Sequence, residues 1–383
     1  MRAADASLIT CTFNDGHFVN GLLAGLAEWS LPPREVVVLD DGSDRPYAPP
    51  ACPAPVRLLR HETNRGIPTA KHAAISAGTS PLLLFMDCDT RVEPGWLEAC
   101  LPHAARPEVG MVSGPVGYVS GEDLVSRFQR CFGDNHNQDR SGAVEFIPGN
   151  AFLLRRETWE ACGGLADFRG EVCEDHFLCA KLRRAGLLLW VEERARARQI
   201  RRINRAAMLK RYWKWCHTAL KEQALTVDDP VAYVFSALAM PHAQRVETAI
   251  AREEPLFLYL EAAYLSFAVL DLLDHLAARD RVHPGLKAAW WARLDRLFGR
   301  LPVLRAVLRA DLARLGQTPP PAAGAPPGDP WEPCFAGLDA LAGSGVYEWL
   351  NRAGVPAMLE EEKALSYDFS FYENVSLDSG PKA

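Results

Sequence analysis

Short apolar runs alternate with longer amphipathic stretches from Ser7 to about Trp190. Strands that cross over through helices to a neighbouring strand leave this signature, so the pattern predicts a largely parallel sheet flanked by helices. The predicted strands are Ser7–Phe13, Glu35–Asp40, Val56–Arg60, Leu82–Asp87, Val109–Val116 and Val144–Arg155. Between them, Phe18–Trp29, Thr69–Ala77 and Gly95–Ala104 read as helices, and Phe177–Ala185 follows as another.

After Trp190 the strand pattern stops. Residues 204–315 are rich in Ala, Leu and Arg, and Leu256, Tyr259, Leu260, Ala263 and Leu270 recur at helical spacing, which predicts an all-helical domain. Its most apolar segment, Leu256 to Leu276, is interrupted by Glu261, Asp271 and Asp274. Each such acid costs about 3 kcal/mol at the centre of a bilayer, so a buried bundle helix is expected in place of an integral membrane span. Gln317–Pro333 (QTPPPAAGAPPGDPWEP) reads as an extended linker, because proline removes backbone donors and fixes φ. A helix around Phe335–Arg352 and a polar tail close the chain. The expected organisation is an α/β domain over 1–203, a helical domain over 204–316, the linker over 317–333, and a helix and tail over 334–383.

The composition fits two domains with proper cores, since 48% of the 383 residues are hydrophobic and 23% charged. Disorder as the main state is excluded. With 42 basic and 48 acidic residues the formal charge is −6, which supplies no general field for a polyanion, and no nucleic-acid partner is expected. The ten cysteines form no CxxC pair, and the start MRAADASLIT lacks the basic and apolar regions of a secretory signal. Reduced thiols and a cytoplasmic location are expected.

In open α/β sheets ligands bind at the carboxyl ends of the strands. Three predicted strand ends carry polar clusters: Thr12-Phe13-Asn14-Asp15, Asp40-Asp41-Gly42-Ser43 and Asp87-Cys88-Asp89. Two carboxylates one residue apart can present oxygens to one hard cation, with phosphate oxygens completing the shell. An isolated D-x-D also suits an exposed turn, and Asp-Asp-Gly-Ser suits a turn with Gly42 at positive φ.

The ordered set is more specific than any member. Thr12, Asp-Asp-Gly-Ser at 40–43, Asn64-Arg65-Gly66 with Ala70-Lys71, Asp-x-Asp at 87–89, Gly149-Asn150 with Arg155-Arg156, Gly163-Gly164 and Glu174-Asp175 follow one another along the chain. Over about residues 6–190 this series resembles the GT-A fold of glycosyltransferase family 2, the inverting nucleotide-sugar enzymes. The resemblance implies a Rossmann-like α/β fold and transfer of a sugar from a nucleoside diphosphate, expected to be UDP, to a hydroxyl acceptor. It implies that Thr12, Asp40 or Asp41, and Lys71 hold the nucleoside, with Lys71 where the family usually has arginine. It implies that Asp87 faces the ribose, that Asn150 and Glu174 adjoin the nucleotide sugar, and that Asp89 holds Mn²⁺ or Mg²⁺. Asp175 matches the family's general base, in a stretch reading ED-x-x-L with Leu178. Acids there also complement the dipole of the helix they open.

Family members often carry a histidine in an A-x-V-x-H pattern after the next strand. The matching stretch here is Ala195-Arg196-Ala197-Arg198-Gln199, so Gln199, with Asp87, is a candidate further metal ligand. Nine basic residues between Arg194 and Lys214 include Arg198, Arg201 and Arg202. Guanidinium groups bind diphosphate bidentately, so these three are candidates for it, with a solvated charged face as the alternative. Tyr212, Trp213 and Trp215 follow, but Leu209-Lys210-Arg211-Tyr212-Trp213 lacks the glutamine of the Q-x-x-R-W motif of processive family members. The rings are expected to pack helices. The acceptor is expected on a protein, a glycan or a lipid-linked molecule. A catalytically weak GT-A domain acting as a nucleotide-sugar-binding scaffold is the other reading.

Overall fold

The computed structural model describes residues 4–117, 121–132, 140–320 and 345–365. The chain divides into two compact units, one from the described residues of 1–121 and 129–201, the other from those of 122–128 and 202–378. The expected boundary at 203 lies close to the Arg201/Arg202 division, while the assignment of 122–128 to the second unit has no counterpart in the linear pattern.

The first unit is α/β. Its strands are β1 (Ala4–Thr12), β2 (Pro33–Asp40), β3 (Val56–Arg60), β4 (Leu82–Met86), β5 (Thr90–Val92), β6 (Val109–Ser113), β7 (Val116–Gly117), β8 (Gly142–Val144), β9 (Ala151–Arg155), β10 (Leu188–Val191) and β11 (Ala197–Gln199). The helices are α1 (Gly16–Gly25), α2 (Ile67–Ser76), α3 (Trp96–Ala104), α4 (Leu124–Phe132), which crosses the boundary of the units, α5 (Arg156–Cys162) and α6 (Glu174–Arg184). The large sheet has the order β3-β2-β1-β4-β9-β6-β10-β8, and a small one has the order β5-β11-β7.

Alternation along β2 and β4 shows why these runs read as continuously apolar. Val36, Val38, Leu84 and Met86 join Leu8, Phe18, Leu22 and Trp96 in one core cluster. Val37, Leu39, Leu83 and Phe85 join Ile9, Ala70, Ile75, Trp159 and Leu182 in a second. Successive side chains point to opposite faces of a strand, so a sheet covered on both sides needs apolar residues at every position.

The expectation of a mostly parallel sheet holds, since β3, β2, β1, β4, β6 and β10 share one direction and β9 and β8 run against it. Strands β3, β2, β1 and β4 run parallel, as do β6 and β10. Strand β9 is antiparallel to both β4 and β6, and β8 is antiparallel to β10. The reason lies in the entry point: Ala151, the first residue of β9, pairs with Met86, the last of β4. A strand entered from the carboxyl edge of its neighbour must run back against it, and this places Gly149-Asn150 at the edge where ligands bind. The predicted strands Val109–Val116 and Val144–Arg155 each divide, the first at Gly114-Pro115, where proline offers no ladder donor, and the second over 145–150, which includes Pro148 and Gly149. Helix α6 starts at Glu174, three residues before the predicted start, so both acids lie in its first turn.

The second unit is helical, as expected. Helices α7 (Arg205–Thr226), α8 (Pro230–Ala251), α10 (Gly285–Leu297) and α11 (Pro302–Arg314) pack around α9 (Pro255–Ala277). Helix α9 is long and apolar enough to cross a membrane, but 89% of its most apolar window is buried inside the protein. Its acids are paired: Glu261 with Arg245 at 2.7 Å, Asp271 with Lys221 at 2.8 Å, and Asp274 with Lys287 at 2.7 Å. Trp213 is fully buried and donates from Nε1 to Asp271 at 2.6 Å, so this ring is a packing element, as expected. Helical turns at Val346–Trp349 and Leu350–Gly354 lead into Val355–Lys363, which carries the expected terminal helix past Arg352. Residues 321–333 of the expected linker, 335–344 of the expected helix, and the tail from 366 onward lie outside the described residues.

Candidate functional site

The carboxyl edge of β1, β2 and β4 carries the three polar clusters, tied into one surface. The amide of Asp41 donates to the Thr12 carbonyl at 2.8 Å, the Asn14 amide to Ser43 Oγ at 2.8 Å, and the Asp87 amide to the Asn150 carbonyl at 2.9 Å. Asn14 sits at φ 60°, a conformation that costs a non-glycine residue energy and is held here by reciprocal bonds with Asp44.

Asp40 and Asp41 take separate roles. Asp40 is fully buried and accepts from the amides of Ser43 and Tyr47 at 2.9 Å each, with Arg60 as its ion-pair partner. Burial raises its proton affinity, but the bonds from Ser43, Tyr47 and Arg60 prevail and hold the carboxyl below its ordinary value. It builds the loop. Gly42 is needed there: at φ 77°, a Cβ would lie 2.4 Å from the Thr63 carbonyl carbon. Asp41 accepts from His61 Nδ1 at 2.6 Å and from the amides of Arg65 and Gly66, just before α2.

Around these strand ends, the Thr12 hydroxyl and the Asn150 side-chain oxygen are buried with no hydrogen-bond partner, as are the hydroxyls of Thr10 and Thr90. Buried polar atoms are nearly always satisfied, so Thr12 and Asn150, which lie at the strand ends, are candidates for ligand contacts, whereas Thr10 and Thr90 are fully enclosed. The thiols of Cys11 and Cys88 are pushed well up by burial and remain protonated fillers, not nucleophiles.

Lys71 and Glu174 meet across the site. The ammonium donates to Glu174 Oε1 at 2.7 Å and to the Gly149 carbonyl at 3.0 Å, and lies 4.0 Å from Asp87 Oδ1. Asp175, the next residue, is partly exposed, accepting from the Gly149 amide at 3.0 Å and the His176 amide at 2.8 Å. Burial first, then the adjacent Glu174, raises the Asp175 carboxyl above its ordinary value, against the pull of Lys71 and the two amides. A carboxylate poised in this way suits proton acceptance.

Asp89 is held by a residue expected to bind diphosphate. Arg201 Nε donates to Asp89 Oδ2 at 2.7 Å, while its terminal nitrogens reach Asp15 at 2.8 and 3.1 Å. Arg201 therefore braces two acids, and Asp15 is a site residue the sequence reading left without a role. Its place at the end of β1 was the available signal. Arg198 is exposed on β11 in register with Arg91, Gln199 is buried in register with Thr90, and Arg202 is exposed at the start of the helical unit. Among the described residues no group of three or more His, Cys, Asp or Glu converges as a metal cage. A magnesium or manganese nucleotide needs less, one or two carboxylates with substrate phosphates completing the shell. Asp89 can meet that requirement with one oxygen, Oδ1, since Arg201 occupies Oδ2, and Asp87 follows two residues back along the chain.

Residues 7–164 match the family model described as Glycosyl transferase family 2. This segment belongs to that family. The matched region contains β1 from Ser7, all of β2 to β9, and the site residues above except Glu174, Asp175, His176, Arg198, Gln199, Arg201 and Arg202. Over 85 residues the chain is 31% identical to polypeptide N-acetylgalactosaminyltransferase 4 of Mus musculus; the match covers 21% of this chain and 15% of that relative's length. A mannosyltransferase from Pyrobaculum calidifontis, solved with GDP-mannose and Mn²⁺, is 19% identical, with a TM-score of 0.43 over 82% of this chain and 87% of that one. TarS residues 1–349 of S. aureus with UDP-GlcNAc is 16% identical, with a TM-score of 0.41 over 83% and 93% of the two chains.

Proposed function

We propose that the family 2 domain transfers a sugar from a nucleoside-diphosphate donor, UDP-linked in the first instance, to a hydroxyl acceptor by single displacement with inversion. The observation that carries this reading is the Asp175 carboxylate, partly exposed, aligned by two backbone amides, and raised in proton affinity beside the strand-end acids. The acceptor hydroxyl gives its proton to Asp175 as its oxygen bonds to the anomeric carbon; the bond from that carbon to the diphosphate breaks, and the electron pair leaves with the nucleotide. Thr12, Asp41 and Asn150 are the groups suited to the nucleoside and sugar, with Asp87 toward the ribose. Asp89 would hold a divalent cation, Mn²⁺ or Mg²⁺, which would supply charge for the leaving diphosphate. Asp15 and Arg201 keep the Asp89 carboxylate oriented for it. The helical unit and the loops are the natural site of acceptor choice, and a protein or glycan hydroxyl is the class to test first. Among the described residues eight cysteines are free thiols, which supports a cytoplasmic setting.

The test is a panel of UDP- and GDP-sugars with Mn²⁺, read by calorimetry for binding and by nucleotide release for turnover. Asp89→Ala should lose metal-dependent UDP binding, whereas Asp175→Asn should keep it and lose turnover, because the amide retains shape without basicity. Wild-type turnover by Asp175→Asn would remove Asp175 from the reaction, and undiminished UDP binding by Asp89→Ala would remove the metal from Asp89.

A further inference from the structure

Lys71 stands where a nucleoside contact was expected, and its ammonium group lies between the two halves of the site, 4.0 Å from Asp87 Oδ1 on one side and 2.7 Å from Glu174 Oε1 on the other. It is 4% exposed, on the buried side of α2, with its Nζ 4.5 Å from the centre of the Phe85 ring. Its close contacts, given above, are Glu174 and the Gly149 carbonyl. Gly149 completes a bridge, since its carbonyl accepts from Lys71 while its amide donates to Asp175 Oδ2. The bridge is close at glycine: a Cβ at 149 would lie 2.9 Å from Lys71 Nζ and 3.1 Å from the Asp175 Cβ, so a larger residue would push the ammonium aside.

We propose that Lys71 is a positioning residue for Asp175, fixing through Glu174 and Gly149 both where that carboxylate sits and how tightly it holds a proton. The proposal deepens the reading of Asp175 as the base and rests on it.

Two adjacent acids open α6, and the charge of Glu174 favours protonation of its neighbour. A base that stays protonated cannot accept a proton. Lys71 pairs with Glu174 and so offsets that field, and its own charge acts on Asp175 in the same sense. The other groups facing Asp175 are weaker influences. Cys179, one turn along α6, carries a thiol that burial keeps protonated. The His176 ring is stacked on Phe146 at 3.9 Å, and its backbone amide supplies the bond to Asp175. From the turn before β9 comes the Gly149 amide. Since burial disfavours a charged ammonium, Lys71 holds its proton through Glu174 and Asp87, which outweigh burial and raise its proton affinity above the ordinary value.

The test titrates the carboxylate directly. In the full chain labelled with carboxyl-¹³C aspartate, the Asp175 signal is identified by its loss in Asp175→Asn and followed with pH by NMR. Lys71→Met should raise the Asp175 midpoint by about one unit or more, the usual effect of a charge at this range. Lys71→Arg should hold the midpoint near wild type, Glu174→Gln should lower it, and the Lys71→Met, Glu174→Gln double variant should return toward wild type. An unmoved midpoint in a folded Lys71→Met overturns the proposal, and loss of UDP affinity without a shift returns Lys71 to the donor. Should Lys71→Met not fold, Glu174→Gln decides, and a midpoint that stays in place there overturns the proposal equally. The readout needs no turnover, so it fails separately from the base assignment. A shifted midpoint combined with full transfer by Asp175→Asn would sink the base and leave the coupling of Lys71 to Asp175 standing.

Discussion

Glu192, just after β10, shows how single contacts set a pH dependence. Its carboxylate accepts from Arg194 Nε at 2.6 Å and Ser141 Oγ at 3.2 Å, and lies 2.9 Å from His103 Nε2. Burial works against the charge, but these partners prevail and pull the carboxyl down to about 2 from an ordinary 4.5. A depressed folded value means that the unfolded chain binds the proton more tightly, so stability is complete above the unfolded value and falls as the pH drops through the window from 4.5 toward 2. Glu192→Gln should therefore flatten the acid limb of stability between pH 5 and pH 3, measured by urea unfolding at both. An acid limb identical to wild type would mean that the contacts do not distinguish folded from unfolded states.

At the level of elements, helix α9 turns on how its acids are paired. A helix of this length and hydropathy could cross a membrane, but Asp271 is buried with Lys221 and the Trp213 indole as partners. Breaking a buried pair from one side leaves an uncompensated charge, which costs about 3–5 kcal/mol. Asp271→Asn should destabilise the helical unit by roughly that amount in chemical denaturation, since the amide can still accept from Trp213 but cannot neutralise Lys221. The Lys221→Met, Asp271→Leu double variant should recover most of the loss, because a packed apolar pair avoids the desolvation of both charges. A double variant as unstable as the single one would assign the cost to packing.

The whole molecule carries its candidate chemistry in one unit: Thr12, Asp15, Asp41, Lys71, Asp87, Asp89, Gly149, Glu174, Asp175 and Arg201 all belong to the α/β unit. Each unit has its own core, and units of that kind unfold as separate cooperative blocks when little couples them. Scanning calorimetry should show two transitions, of which UDP with Mn²⁺ raises the one belonging to the α/β unit, because a ligand stabilises only what binds it. A single transition that moves as a whole with UDP would show the units to be one folding block.

The sequence by itself determined the two-unit plan, the strands that end in acids, and the identity of most candidate site residues. Periodicity of apolar positions reports which face of an element is buried, and turn residues report where it stops, so β1, β2, β4 and the helical character of α9 were legible without a fold. Tertiary structure decided how those residues are used. Arg201 reaches Asp15 from 186 positions away and Asp89 from 112, and Lys71 reaches Glu174 from 103. No local pattern encodes such pairs, because they depend on strand order and on the direction in which β9 enters the sheet. That is why Asp40 reads as a nucleoside ligand in the sequence and proves to be bound up in its loop, and why a lysine expected at the donor is also bonded to Glu174, the neighbour of Asp175. Chemical type is a property of the chain, whereas the partner that holds a charge is a property of distance, which only folding sets.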